Sequence, residues 1–307
     1  MKKFPTVELL EDIATELGVD ASFIEKDWFA VQVLEAISSL SNLNIVFTGG
    51  TSLSKGYGLI KRFSEDLDFI IVTSSNFTRS QRKAARANVL SILREIDDIS
   101  ILEESLKSRN ESKFFSLNVE YPQHYGPSEI LRPHLKVEFS FDETLLSTIP
   151  TSIQSFITQF TAQEPDCKMN TVSPVETAAN KFSALLWRVN IKDRNFKLGT
   201  PQNDPTMIRH LHDLSALEEL VLESGAFVEM VRAAFKKDRG RCGSERGKSV
   251  KELAGETLIK LTEDSLYQVE YIRFVDAMSY DVDDKKITFE NGLQSFEKIV
   301  SLFYMAQ

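Results

Sequence analysis

Residues 47–72 read FTGGTSLSKGYGLIKRFSEDLDFIIV, and the order of features along this stretch decides the fold. A short apolar run, NIVF at 44–47, predicts a buried strand that stops at Gly49-Gly50. The spacing then predicts a short helix over 51–60 and a second strand over 66–72. A strand sends alternate side chains to one face, about 6.6–7 Å apart at i and i+2. Asp66 and Asp68 therefore share a face, while Leu67 and Phe69 turn to the core. Glu65 is out of phase with them and reads as a solvent-facing neighbour. Two carboxylates on one face repel unless a cation lies between them. Mg²⁺ suits that position, since it takes one or two carboxylates and lets substrate phosphates complete its octahedron; Mn²⁺ is the second candidate.

A third carboxylate on a neighbouring strand would complete a two-metal platform. LKVEFSF at 135–141 offers Glu138, which alternates with Val137 and Phe139. By itself Glu138 also reads as the solvent face of a half-buried strand. The glycine end supplies what a nucleotide needs. A strand that passes directly into a helix exposes unpaired N–H groups that bind phosphate. Gly49 and Gly50 let backbone approach closely, and Thr51 and Ser52 add hydroxyl donors. Neither G-x-x-x-x-G-K-[ST] nor G-x-G-x-x-G is present. Alone, Gly-Gly-Thr-Ser is a turn followed by a helix cap. What points to nucleotide chemistry is the sequence strand, Gly-Gly, short helix, Ser-x-Asp-x-Asp, strand.

Of the 307 residues, 42% are hydrophobic and 26% charged, the balance of a soluble globular chain long enough for two domains. No apolar run approaches a membrane span. The opening MKKFPTVELLEDIATEL has no apolar core and reads as a helix, not a signal peptide, so the cytoplasm is the expected compartment. Cys167 and Cys242 are the only cysteines, too few for a disulfide framework or a four-ligand zinc site. His210 and His212 face different ways on a predicted helix. A net charge of −9 argues against a surface that coats nucleic acid throughout. Locally, residues 232–251 hold eight Lys/Arg against Asp238 and Glu245, so 8 − 2 leaves +6. This segment reads either as a solvated loop with glycines at 240, 243 and 247 or as an RNA phosphate contact through Arg232, Lys236, Lys237, Arg239 and Arg241.

Periodicity predicts helices over 7–18 and 21–40, the second with Ile24, Trp28, Val31, Leu34 and Ile37 on its apolar stripe. A helix over 80–96 has Ser80 as its cap, and 114–121 and 135–141 alternate as strands. After Phe141 the chain turns helical. Ser173, Pro174 and Glu176 form a capping-box pattern for a helix over 173–189. On that helix Thr177, Lys181, Ala184 and Arg188 share one face, which is either solvent-exposed or turned to triphosphate. Asp204-Pro205 opens another helix, where Arg209 and Asp213 are placed to pair at i,i+4. Thr288 caps a last one, with Phe289, Leu293, Phe296, Val300 and Phe303 as its stripe. The fold class is α+β: a mixed sheet flanked by helices over residues 1–150, then a mainly helical domain over 151–307, with the boundary within 145–165.

The stretch GGTSLSKGYGLIKRFSEDLDF resembles the signature of the AbiEii/AbiGii nucleotidyltransferase toxin family, within the DNA polymerase β-like superfamily. Gly49–Leu53 match its Gly-Gly-Thr-x-Leu and Ser64–Phe69 its Ser-x-Asp-x-Asp-Phe. IEKDW at 24–28 looks like its leading helix, VETAANKFSAL like its helix with a central lysine, here Lys181, and RHLHDLSAL like its Arg-x-x-x-Asp-Leu element, with Asp213 as the acid. ITFENGLQSF is similar to its closing helix, so the resemblance spans about residues 20–300. It implies a polymerase β-like core and nucleotidyl transfer from an NTP. Asp66, Asp68 and Glu138 would hold Mg²⁺, with Gly49, Gly50, Thr51, Ser52 and Ser64 at the phosphates. Lys181 and Asp213 would be brought to the cleft by the C-terminal domain. The implied acceptor is RNA, with the tRNA 3′ end known for some members, and a cognate antitoxin is the implied partner. A small-molecule or protein hydroxyl, a kinase reaction and a non-catalytic nucleotide-binding module are the other readings of these residues.

Overall fold

The computed structural model of the chain describes residues 4–74, 77–126, 128, 130–281 and 286–305. Met1–Lys3, the start of the quoted N-terminal stretch, lie outside them. The chain forms two compact units, one of Met1–Gly58 and Phe63–Val172, the other of Leu59–Arg62 and Ser173–Gln307.

The first unit is built from α1 (Val7–Leu17), α2 (Ala21–Ser38), β1 (Ile45–Thr48), α3 (Gly49–Lys55), β2 (Asp66–Val72), α4 (Arg79–Arg94), β3 (Ser100–Arg109), β4 (Phe114–Glu120), β5 (Leu135–Asp142), β6 (Ile149–Ile153), α5 (Phe156–Phe160) and β7 (Cys167–Thr171). Its seven strands form one mixed sheet in the order β3-β4-β5-β2-β1-β7-β6. β2 runs antiparallel to β1 and parallel to β5, and β1 is parallel to β7. The predicted β2 is reproduced to the residue. Its alternation and that of β5 explain why: Leu67, Phe69, Val137 and Phe139 are buried, while Asp66, Asp68, Lys136 and Glu138 are only partly so. Phe47, Phe69, Phe139 and Phe115 stack across β1, β2, β5 and β4, with centroids 5.5, 4.9 and 4.7 Å apart. That aromatic layer fixes the register and leaves the carboxylates on the opposite face.

Several boundaries differ from the sequence reading. α4 starts at Arg79, capped by Thr78 in a capping box with Gln81, so Ser80 already lies inside the helix. β3 is mostly exposed and polar, and its pairing with β4 slips between Leu102 and Lys107; no clean alternation marks it. β6 and β7 lie beyond Phe141, where the chain is expected to turn helical. They join the sheet because β7 pairs with β1 and the Val172 amide donates to the Phe47 carbonyl at 2.9 Å. The units therefore divide at Val172/Ser173, beyond the expected 145–165.

The second unit contains α6 (Pro174–Asn190), α7 (Arg209–Ala216), α8 (Glu218–Glu223), α9 (Phe227–Asp238), α10 (Val250–Glu263), α11 (Leu266–Phe274) and α12 (Phe289–Met305), with short 3-10 turns between several of them. α6 packs against α7, α9 and α10, and α12 against α7, α8 and α10. Phe182 stacks on Phe303 at 5.1 Å and lies 5.3 Å from Phe296. Pro174 opens α6 as expected, but the Ser173 side chain makes no capping hydrogen bond. The helix predicted after Pro205 breaks into a 3-10 turn, α7 and α8. Thr288 caps α12, its hydroxyl accepting from the Asn291 amide at 3.2 Å. Residues 232–251 are the end of α9, two 3-10 turns and the start of α10, with Cys242 buried among them, not an open loop. Among the described residues no helix is long and apolar enough to cross a membrane.

Candidate active site

Asp66 and Asp68 lie two residues apart on β2. Asp68 stands in register with Thr48 of β1 on one side and Glu138 of β5 on the other, and Asp66 stands beside Lys136. α3 begins at Gly49 itself, directly after Thr48. Gly49 has φ +78°, and a Cβ there would lie 2.2 Å from Oδ2 of Asp68. Only glycine meets both demands: the positive φ and the seat of a carboxylate on its Cα. The glycine turn and the second aspartate, nineteen positions apart, are thus one constellation.

The hydroxyls of that turn face inward. Thr51 and Ser52 are buried. Thr51 donates to the carbonyls of Ser64 and Asp66, and Ser52 to the carbonyl of Gly49 at 2.9 Å. Each hydroxyl proton ties α3 to its own first turn or to the start of β2. Gly50 is buried, and Ser64 is partly exposed with its carbonyl turned to Thr51.

Glu65 is the sharpest departure from the sequence reading. It is 3% exposed and accepts from Nζ of Lys26 at 2.6 Å; Lys26 is wholly buried. It also accepts from the backbone amide of Arg132 at 2.7 Å, and Lys26 donates to the Arg132 carbonyl at 2.7 Å. Burial alone would raise the Glu65 carboxyl, but the charges of Lys26 and Arg132 outweigh it and leave the group below its usual range. Burial lowers the Lys26 ammonium despite Glu65. The Arg132 guanidinium turns outward and donates to Oδ1 of Asp66 at 2.8 Å. Lys136 pairs with Glu138 at 2.9 Å. Neighbouring charges of α2 are also engaged: Glu25 by His124, and Asp27 by Lys55 and the Phe156 amide.

The donor chemistry of Asp66, Asp68 and Glu138, all hard carboxylate oxygens on one sheet face, fits a divalent cation of the Mg²⁺ type. Their present geometry does not close around one. Among the described residues no three His, Cys, Asp or Glu side chains are gathered as a metal-holding group, and Arg132 and Lys136 supply the positive charge instead.

In the second unit Asp213 is completely buried. It binds Arg62 through two bonds of 2.8 and 2.6 Å, Lys181 at 2.7 Å and His212 at 3.1 Å. Burial would raise its carboxyl, yet Arg62 and Lys181 hold it well below the usual carboxylate range. Arg209, the expected i,i+4 partner, instead donates to the Phe274 carbonyl at 3.2 Å. Arg62 carries no signal in the local sequence for this role, being 151 residues away. Of the shared α6 face, Thr177 and Lys181 are buried and Arg188 pairs with Asp204, so it is not a solvent face. Arg232, Lys236, Lys237, Arg239 and Arg241 are exposed; Arg241 pairs with Asp238 at 3.0 Å, an acid already counted in the local +6, and Arg232 pairs with Glu229 just outside the segment, which alone offsets part of it.

Residues 32–301 match the family model described as Nucleotidyl transferase AbiEii toxin, Type IV TA system. No curated protein matches the chain. Among solved structures, MenT4, a nucleotidyltransferase toxin from Mycobacterium tuberculosis H37Rv, is similar at 17% identity and a TM-score of 0.53, over 95% of this chain and 98% of that one. That likeness supports the fold. The STING-associated CdnE c-di-GMP synthase from Capnocytophaga granulosa aligns over 98% of this chain and 88% of its own at 14% identity, with a TM-score of 0.27 that carries no weight.

Proposed function

Because the chain belongs to the AbiEii nucleotidyltransferase toxin family, we propose that it transfers a nucleoside monophosphate from an NTP to an RNA hydroxyl, with the tRNA 3′ end as the first candidate acceptor, in the cytoplasm. The family is one of a two-component toxin–antitoxin system, which implies a cognate antitoxin. The observation that carries the reading is Asp68, its carboxylate seated on Gly49 and in register with Glu138. Asp66, Asp68 and Glu138 are the residues that would hold Mg²⁺ or Mn²⁺, and a bound cation of this kind lowers the pKa of an attacking hydroxyl and neutralises leaving oxygens.

In the reaction the acceptor hydroxyl loses its proton to solvent, its oxygen bonds to the α-phosphorus, the bond from that phosphorus to the α–β bridging oxygen breaks, and pyrophosphate leaves with the electron pair. Little covalent work falls to the protein, which positions and neutralises. The backbone of Gly49 and Gly50 and the Ser64 side chain are assigned to the phosphates. Thr51 and Ser52 hold the turn. Lys181 is assigned triphosphate charge and Asp213 the orientation of Lys181, on the family pattern and on their 2.7 Å pair.

The test is incubation with Mg²⁺, total tRNA and each α-³²P-labelled NTP in turn. Label should enter RNA from a preferred nucleotide and vanish in Asp68→Ala. Label only in a small molecule or in protein would replace RNA as acceptor. Transfer solely from the γ-³²P position would overturn nucleotidyl transfer.

A further inference from the structure

The most heavily engineered feature of the first unit is the seat of Arg132, a residue of the segment between β4 and β5. Its amide is held by Glu65 and its carbonyl by Lys26, and these two are themselves a buried ion pair of 2.6 Å. Removing two charges from water is costly, and a buried pair of this kind is weak evidence for stability as such. What the pair achieves here is positional. Both peptide groups flanking the Arg132 Cα are fixed, while its side chain remains 34% exposed. The guanidinium reaches one of the two β2 carboxylates, Asp66, and lies 3.4 Å from Glu65 through Nε.

A guanidinium offers five N–H donors in a planar fork that matches carboxylate and phosphate alike. The described bonds of Arg132 to carboxylates come from Nη2 and Nε. Arg132 therefore stands on an oxygen that a divalent cation would need, with donors to spare and a backbone that cannot follow its side chain. A cation at Asp66 and the guanidinium are two positive charges drawn to one carboxylate, so each weakens the other's hold on it. The anion such a cation accompanies is a nucleoside triphosphate, whose oxygens are the better partner for the displaced fork.

We propose that Arg132 is a nucleotide-binding residue that neutralises Asp66 while the site is free and passes to a phosphate oxygen of the incoming NTP when Asp66 takes a divalent cation. This rests on the reading of Asp66 and Asp68 as cation ligands. It predicts effects of opposite sign from one substitution, which a purely structural arginine would not give. In Arg132→Gln, Mn²⁺ binding to the nucleotide-free protein, followed by electron paramagnetic resonance, should tighten about 3- to 10-fold. In the same variant, binding of each non-hydrolysable NTP analogue with Mn²⁺ present should weaken about 10-fold or more, the scale of one charge-assisted hydrogen bond. Arg132→Lys, which keeps the charge and loses the fork, should recover wild-type Mn²⁺ affinity and leave most of the nucleotide defect.

Mn²⁺ affinity that is unchanged or weaker in Arg132→Gln, or unchanged nucleotide affinity, overturns the exchange. The two levels separate cleanly. If wild type binds no Mn²⁺ that Asp68→Ala abolishes, the carboxylate reading itself fails. If it does bind such Mn²⁺ and Arg132→Gln behaves as wild type, only the role of Arg132 fails. Should Arg132→Gln fold poorly, the Arg132→Lys comparison carries the test, because the 2.7 Å bonds from residue 132 to Glu65 and Lys26 are made by its backbone and lysine keeps a positive charge beside Glu65.

Discussion

Asp66 and Asp213 are each held by an arginine, at 2.8 and 2.6 Å, yet their surroundings differ in kind. Asp66 is 31% exposed and its arginine 34% exposed; Asp213 is 0% exposed and its arginine 3%. Asp213 also receives Lys181 and His212. The first pair sits where water can solvate either partner once they part. The second cannot part without stranding a buried charge. The difference separates carboxylates able to change partners during a reaction from one whose partners are fixed by folding.

The strongest way to break that comparison is to neutralise each side in turn. Asp68→Asn on the open face should reduce α-label transfer by about 10²- to 10³-fold and leave the urea midpoint near or above that of wild type, because a repelling charge is removed. Asp213→Asn should do the reverse in stability, costing about 3–5 kcal/mol as Arg62 and Lys181 lose their buried counter-charge. If Asp213→Asn unfolds like wild type and only activity falls, its carboxylate is a working group and not an anchor. Gly49→Ala sharpens the open side. It places a Cβ on the Asp68 carboxylate and forces a positive φ on alanine, a backbone cost of about 1–2 kcal/mol. Transfer should fall by more than that loss of stability explains; activity near wild type would mean that Asp68 is free to move without consequence.

A smaller effect is expected at the basic segment. Reversing Lys236, Lys237, Arg239 and Arg241 to acidic residues should weaken tRNA affinity and flatten its dependence on salt, each lost phosphate contact reducing the log–log slope by about 0.7–0.9. Glu229, paired with Arg232 from outside the segment, already offsets part of its charge. An unchanged slope would leave the segment as a surface of the second unit with no RNA role.

What the sequence disclosed follows from the range of the forces involved. β2, β5 and the shared face of Asp66, Asp68 and Glu138 were legible because alternation over seven residues is a local signal. So was Gly49-Gly50 before a helix, although not that Asp68 would rest on the first glycine. Arg62–Asp213 was not legible; the local pattern offered Arg209 four residues away, and the real partner is brought by tertiary folding. Glu65 was misplaced because it was judged by strand phase, whereas β2 begins one residue later at Asp66. A signal for it did exist in α2. Phe23, Ile24, Trp28, Phe29, Val31, Val33 and Leu34 encircle that helix, which leaves Glu25, Lys26 and Asp27 no polar face. Buried charges need partners, and each found one. β3 and β6 lacked a pattern because they are the edges of the sheet, and edge strands are specified by their neighbours more than by their own residues; β7, inside the sheet between β1 and β6, spans only five residues, too few to announce itself.

Acid sharpens the locked side of the comparison through His210. Its Nδ1 is buried and has no hydrogen-bond partner among the described residues. Burial, reinforced by the charges of Lys181 and Arg188, holds the imidazole well below its ordinary value of 6.5. In the unfolded chain it takes up a proton near pH 6.5; in the native protein it stays neutral. The unfolded state then binds more protons, so stability falls as pH drops below about 6.5, by at most about 1.4 kcal/mol per pH unit for one proton. Asp213 acts later. Its native value is depressed, so the stability it contributes is fully present above the unfolded value near 3.9 and is lost as pH falls through the native one. Urea midpoints at pH 7.5, 6.5, 5.5 and 4.5 should decline for wild type and decline less steeply for His210→Leu. Parallel curves from 6.5 to 4.5 would mean that His210 accepts its proton in the folded state, and that the charge cluster around Asp213 is open enough to water to admit it.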